Sequence, residues 1–532
     1  MYDYVIVGAG SAGCVLANRL SEDPDVEVLL VEAGGSDAND LIGIPAAFSA
    51  LFRTASDWDH ATAPEPHANG RRVYLPRGKT LGGSSSLNAM IYMRGNPVDY
   101  DEWREAGNPG WGFDDLLPYF RSSEENERGE SEFHGADGPL RVCDGRARSE
   151  LAQAFIDSAI AAGHPANEDF NAGEQDGVGW YQVTQRDGKR GSCAVSYLHP
   201  VSDRPNLTVE THVHVLRILF EGTRATGIAG VRLDEILEFS ASREVILCAG
   251  AYQSPQLLML SGVGRREELE PLQIEPLLEL PGVGLNLQDH PNAGVIHAVD
   301  EPISLFEALN PDNLARLMGE GQGPLTSNVA EAGGFMHTRD GLDGPDIQFH
   351  FAPAVFQHEG LIPGQEHGFA VGACVLKPQS RGYVALVSPD PTAKPLIVHN
   401  YLDHPDDRAS MIAGVRAAME IAATEPLAGY ASGPINVPDS DSDEAILAHV
   451  AANLQTLYHP VGTCRMGTDD LAVVDPELRV RGLEGLRVID ASVMPTVPRG
   501  NTNAPVIAIA ERAADLVRER APEARKPAVG VS

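Results

Sequence analysis

Long hydrophobic runs are missing from this chain of 532 residues. No stretch of about eighteen apolar residues occurs, so no membrane-spanning helix is expected. No charged and then apolar leader precedes the first strand-like run, so no signal peptide is expected, and the default location is cytoplasmic. Peripheral attachment at an inner membrane is compatible with that reading. Cysteine is scarce. Cys14, Cys143, Cys193, Cys248, Cys374 and Cys464 show no C-x-x-C spacing, which argues against a disulfide frame or a metal site and leaves them as small buried residues. Positive charge is short as well: 40 Lys and Arg face 75 Asp and Glu, a formal net charge of -35. Such an excess repels nucleic acid and anionic lipid. It reads as a hydrated acidic surface. Length and ordinary globular composition allow two or three domains.

What is present begins at once. Tyr4-Val5-Ile6-Val7 is followed by Gly8-Ala9-Gly10-Ser11-Ala12-Gly13, an apolar helical stretch, and Val28-Leu29-Leu30-Val31-Glu32-Ala33. Strand, G-x-G-x-x-G, helix, strand and terminal acid together form a dinucleotide fingerprint. Gly8 permits the tight turn, Gly10 lets a pyrophosphate approach the backbone, and Gly13 lets the helix lie close to the sheet. The helix start offers free N–H groups to phosphate. Glu32 stands where a carboxylate accepts ribose hydroxyls, which suits NAD or FAD and disfavours a 2′-phosphate. The bland alternative is a glycine-rich turn that binds nothing, and the complete set of flanking features weighs against it.

A second stretch, Arg77-Gly78-Lys79-Thr80-Leu81-Gly82-Gly83-Ser84-Ser85-Ser86, places glycine N–H groups and hydroxyls together as a phosphate or flavin ring would require. Its apolar continuation from Leu87 to Met93 calls for burial and argues against a solvated linker. Further on, residues 149–162 carry apolar side chains at helical spacing, and residues 207–219 alternate as a strand does. Ser254 and Pro255 look like the cap and first residue of a helix. Residues 307–318 and 411–423 read as helices, and 345–351, 368–376 and 382–387 as strands. Near the C-terminus come Tyr458-His459-Pro460-Val461-Gly462-Thr463-Cys464-Arg465-Met466-Gly467, then Asp490-Ala491, then Gly500-Asn501-Thr502-Asn503-Ala504-Pro505. A helix is expected from Pro505, with Asn503 as a candidate cap.

The two N-terminal stretches and this C-terminal motif resemble signatures of the glucose–methanol–choline (GMC) family of FAD-dependent oxidoreductases, from Tyr2 to Arg518. The resemblance implies an α/β fold: a Rossmann-like FAD-binding domain over residues 1–295, with part of the substrate region near 150–200. A substrate domain with a mostly antiparallel sheet would span 296–454. Residues 455–520 would return to the FAD domain with the active-site motif, and 521–532 would form a disordered tail. It assigns to the cofactor Gly8, Gly10, Ser11, Ala12, Gly13, Glu32 and Ala33. Gly83, Asn88, Ala89, Met90 and Ile91 follow, then Val215, and finally Tyr458, Asp490, Ala491, Thr502 and Asn503. Leu87 matches the position where some members bond a histidine covalently to the flavin, so non-covalent FAD is expected.

Family resemblance also implies the chemistry: hydride from the carbinol carbon to flavin N5, and the hydroxyl proton to His459, with Asn501 as its partner. A histidine suits proton transfer near neutral pH. Many members carry a second histidine where Asn501 stands, and an amide can orient the substrate but not take its proton. The resemblance is to alcohol dehydrogenases of alkane degradation and to choline dehydrogenases. Some choline users place a carboxylate where Asn292 follows His290 and Pro291. A neutral amide does not suit a quaternary ammonium, which needs an anion or an aromatic cage. An uncharged primary alcohol, aliphatic or aryl, is therefore expected, although Asp289 or Glu331 could stand nearby. His350 matches a position lining the site of choline-using relatives; a strand histidine facing solvent is the alternative. A choline dehydrogenase or oxidase and an FAD-containing hydroxynitrile lyase are the competing functions. The electron acceptor, whether oxygen, a quinone or another carrier, is not legible.

Overall fold

The computed structural model describes residues 1–362 and 364–519; the expected tail lies outside them. Two seven-stranded sheets carry the chain. The first begins with the apolar runs of the N-terminus. Strands β1 (Tyr2–Val7) and β2 (Val28–Val31) pair in parallel around helix α1 (Ser11–Leu20). The unbroken burial of residues 4–7 and of Val28–Val31 is what a parallel sheet covered on both faces requires. Strand β3 (Leu207–Glu210) extends the parallel set beyond β2. The run expected over 207–219 divides here, because His212 adopts a left-handed φ of 59° between β3 and β4 (His214–Glu221). Strand β5 (Arg224–Arg232) joins β4 to the long β6 (Glu235–Leu247) in an antiparallel ribbon. The far half of β6 then pairs in parallel with β1 and with Leu486–Val488. The C-terminal segment thereby returns to the first sheet.

Helix α2 (Gly250–Leu260) departs from the sequence expectation. It starts four residues before Ser254, so Ser254 and Pro255 lie inside it. Ser254 Oγ instead donates to Asp490 at 2.6 Å and accepts from Ala249 N–H. Proline lacks the N–H that would satisfy the Ala251 carbonyl. Thr463 Oγ1 donates to that carbonyl at 2.6 Å and fills the gap. Two other helices are displaced from their expected bounds: the one expected over 307–318 runs Pro311–Glu320, capped by Asn310, and the one expected over 411–423 starts six residues earlier, as Pro405–Ala422 capped by His404. Ser149 caps Glu150–Ala161 as its side chain type favours.

The second sheet has strands β7 (Pro291–Val299), β8 (Ala332–Met336), β9 (Ile347–Ala352) and β10 (Gly368–Val375) at its centre. Ala431–Asn436 flanks one side and Gly177–Trp180 the other, and every pairing in it is antiparallel. The alternation of β9 shows how the two faces differ. Ile347, Phe349 and Phe351 enter a core shared with Glu150–Ala161 and Pro405–Ala422. Gln348, His350 and Ala352 point the other way. On β7 and β10, Gly294 stands opposite Gly372, and Gly372 also stands opposite His350.

Candidate active site

A cavity of about 730 Å3 runs from the glycine loop of the first sheet to the inner face of the second. Of the site residues named from the sequence, all line it except Gly13. Gly13 serves the turn: a Cβ there would sit 1.9 Å from the Gly8 carbonyl oxygen. Gly10 is open, with nothing nearer than 4.0 Å to its would-be Cβ. Gly83 has φ +52° and its would-be Cβ lies 2.6 Å from Gly10 Cα, so two backbones abut there.

Two helix starts meet at this end. Neither α1 nor α3 (Asn503–Val517) has a side-chain cap or an acid in its first turn. Asn503 does not cap α3; its Oδ1 accepts from Ser11 Oγ at 2.6 Å and fastens the two starts together. Uncapped N–H groups of two helices converge where an anion is stabilised. Glu32 lies behind them, accepting from Ala9 N–H at 2.9 Å and Gly34 N–H at 2.8 Å. Burial pushes its carboxyl up to about 7. These backbone donors and the single acid fit the phosphates and ribose of a dinucleotide. Asp490 holds Gly250 N–H, Ser254 Oγ and Ser492 N–H. Its side chain organises the start of α2.

The catalytic candidates stand at the middle of the cavity. His459 is 8% exposed. Its Nδ1 lies 2.9 Å from Nδ1 of His290, whose Nε2 lies 3.0 Å from the Leu376 carbonyl. Burial holds His290 down to about 4, so it is neutral. A carbonyl only accepts, so the single ring proton of His290 sits on Nε2 and its Nδ1 is a lone pair. That lone pair takes the Nδ1–H of His459, leaving Nε2 of His459 unprotonated. Nδ2 of Asn501 lies 3.3 Å from this Nε2. Burial, with His290, His350 and Arg77 nearby, keeps His459 well below the ordinary imidazole range. The main chain around it is fixed too: Asp289 accepts from the N–H groups of His290 and His459, at 2.8 and 2.7 Å, and from Tyr401 and Thr456 hydroxyls. Tyr458, just before His459, is held at φ +66° while Arg77 donates to its carbonyl at 2.7 Å.

A glycine loop joined to a histidine site across two sheets narrows the choice of family, and sequence comparison decides it. The N-terminal and C-terminal models of the GMC oxidoreductase family match residues 2–292 and 378–510.

The chain belongs to the GMC oxidoreductase family.

GMC oxidoreductases bind FAD. The chain is 45% identical to an alcohol dehydrogenase [acceptor] of Pseudomonas putida, over 97% of its length and 96% of the relative's. It is 44% identical to the mitochondrial choline dehydrogenase of Mus musculus, covering 97% and 89%. The crystal structure of pyridoxine 4-oxidase from Mesorbium loti superposes with a TM-score of 0.90 at 35% identity, covering 98% and 100%.

In this GMC oxidoreductase the wall facing His459 is neutral. Burial depresses His350 to about 3, and neither of its ring nitrogens finds a partner among the described residues. Asn292 Oδ1 is also unpartnered and lies over Gly372. Among the described residues, the carboxylates lining the cavity are Glu32, Asp57 and Asp490, and none stands on the second sheet. Asp289 and Glu331 do not line the cavity; Glu331 is engaged by Ser149 N–H and Ser327 Oγ. Phe48, Phe52, Phe356 and Tyr458 line one side, in successive ring contacts of 5.8–6.2 Å. Sequence reasoning passed over His290 and Gln348. His290 is announced by its place between Asp289 and Pro291, and Gln348 by standing two residues before His350 on one strand face.

Proposed function

We propose that this protein oxidises an uncharged primary alcohol, aliphatic or aryl, to the aldehyde, with His459 as general base and FAD held non-covalently. The observation that carries this reading is the 2.9 Å contact of His290 Nδ1 with His459 Nδ1, which leaves the lone pair of His459 on Nε2, beside the Asn501 amide. An alcohol oxygen set between them donates its proton to Nε2 while Asn501 Nδ2–H stabilises the negative charge growing on oxygen. His290 holds the other side of the imidazole, accepting its Nδ1–H throughout. FAD, when bound, supplies the acceptor for the carbinol hydride.

The neutral wall supports an uncharged substrate. Asn292 and the uncharged His350 offer hydrogen bonds but no counter-charge to an ammonium. Leu87 supports the non-covalent reading: it lines the cavity and packs with Ile42 and Leu51, and an aliphatic chain forms no bond to a flavin. The name of the choline-dehydrogenase relatives favours the competing substrate, and one experiment separates the two. Purified holoenzyme is mixed anaerobically with 1-octanol, benzyl alcohol or choline, and the visible flavin band is followed. Bleaching by either neutral alcohol is expected. Bleaching by choline alone would transfer the assignment to choline, and bound flavin that no alcohol bleaches would point to a lyase. Acid denaturation then tests the attachment, with yellow supernatant expected.

A further inference from the structure

Asn501 can help His459 only if its amide nitrogen, and not its oxygen, faces the base. Nothing in Asn501 itself dictates this, since a carboxamide turned by half a revolution occupies nearly the same space. A second hydrogen-bonded chain does. Tyr181 OH donates to the Phe349 carbonyl at 2.5 Å. With its one proton spent there, the phenolic oxygen can only accept. Gln348 Nε2 lies 3.0 Å from that oxygen and 3.3 Å from Asn501 Oδ1. Its two N–H groups are therefore both directed outward, one to Tyr181 and one to Asn501. Asn501 must present oxygen to Gln348 and nitrogen to His459. Gln348 and Tyr181 are 0% and 1% exposed, so water does not compete for these bonds.

We propose that Gln348, oriented by Tyr181, is a positioning residue for alcohol oxidation: it fixes the Asn501 carboxamide so that its N–H group faces His459 Nε2 and the substrate oxygen. The inference rests on His459 being the base. Both ends of the catalytic pair are then set by polarity. The Leu376 carbonyl, through His290, places a proton on Nδ1 of His459. The Phe349 carbonyl, through Tyr181, Gln348 and Asn501, sends a donor toward Nε2. Each chain alone leaves Nε2 as the lone pair, and they agree. Without Gln348 the amide turns freely, and its oxygen can face the base. That turned form accepts from a protonated Nε2 and so favours the imidazolium, which cannot take the substrate proton.

The test is a double-mutant cycle on the holoenzyme, with whichever of 1-octanol or benzyl alcohol bleaches the flavin. Asn501→Ala is expected to lower kcat on the order of a hundredfold, as removal of an oxyanion donor does. Gln348→Met keeps the volume and removes the donor; about a tenfold loss of kcat is expected, with KM nearly unchanged. In the Asn501→Ala background the same substitution is expected to have no further effect, because Gln348 acts through Asn501. The acid limb of kcat/KM is expected to move toward higher pH in Gln348→Met, by about one unit, as the imidazolium gains an acceptor. Multiplying effects in the double mutant, or wild-type kcat and pH limb in Gln348→Met, would overturn the proposal. If Gln348→Met fails to retain FAD, Tyr181→Phe replaces it: a smaller loss of kcat that vanishes in the Asn501→Ala background supports the chain, and an additive loss refutes it. A His459→Gln arm separates the two readings: full activity there would sink the base assignment itself, whereas an inactive His459→Gln beside an unaffected Gln348→Met would sink only this inference.

Discussion

The two halves of the cavity recognise their contents by different means. At the cofactor half the work falls to main chain: Gly10 and Gly83 lie backbone to backbone, and the starts of α1 and α3 lend their N–H groups. At the substrate half, side chains on one sheet face do it, with Asn292 and His350 standing beside Gly372. Main-chain recognition needs exact spacing and particular residues at each turn, so it leaves a local signature. Side-chain recognition on a sheet needs only that the right residue occupy an inward register position, so its participants are far apart in sequence. The proposed catalytic pair, His459 and Asn501, lines the cavity between the two.

The largest effect that separates the halves is at this meeting point. His459→Gln is expected to lower kcat by about 10²–10⁴-fold while the protein still purifies with FAD, as read from its visible spectrum. Loss of FAD along with activity would show that the base also supports the cofactor half. Next comes a change confined to main-chain recognition. Gly83→Val puts a side chain at a positive φ and against Gly10 Cα, so the expected product is flavin-free protein. The ratio of flavin to protein absorbance measures it, and near-stoichiometric flavin would break the account of the glycine contact.

A smaller and opposite change sharpens the substrate half. Asn292→Glu adds the missing counter-charge. The preference for neutral alcohol over choline, as a ratio of kcat/KM values, is expected to fall at least tenfold, or ~1.4 kcal/mol, with FAD content unchanged. An unaltered ratio would remove Asn292 from the specificity argument.

The smallest expected effect lies outside both halves, in a cluster of paired charges that does not line the cavity. Arg94 N–H donates to Asn171 Oδ1, and the Arg94 side chain pairs with Glu124, which with Asp169 holds His134. Burial opposes the charge on His134, but the hydrogen bonds to Asp169 and Glu124 outweigh it and hold the imidazole up to about 9. Its folded value lies above the unfolded one, about 6.5. The stability it contributes is therefore present below about pH 6.5 and lost as pH rises through about 9. A fall in Tm of a few degrees over that window is expected, and His134→Asn should flatten it. An equally steep fall in the variant would place the titrating group elsewhere.

Legibility followed the same division. Gly8 to Gly13 and Glu32 could be read because each performs its task within one βαβ unit. The motif around His459 was legible through family resemblance, since a lone histidine before a proline carries no signal of its own. Ser254 and Asn503 were misread as caps. Local rules favour both, but Asp490 and Ser11, far away in sequence, claim their side chains. Gln348 was missed for a related reason: its partners, Tyr181 and Asn501, lie 167 and 153 positions away. Distances of that kind are created by the fold and leave nothing in the neighbouring residues.

The oxygen that orients His290 belongs to the main chain of Leu376. Every amino acid carries that oxygen, so no codon change at position 376 can delete it. A lineage can therefore redraw the inner face of the second sheet, residue by residue, in pursuit of a different alcohol. Through all of it, the direction in which the proposed base, His459, offers its electron pair would be inherited with the backbone and stay out of reach of point mutation at that position.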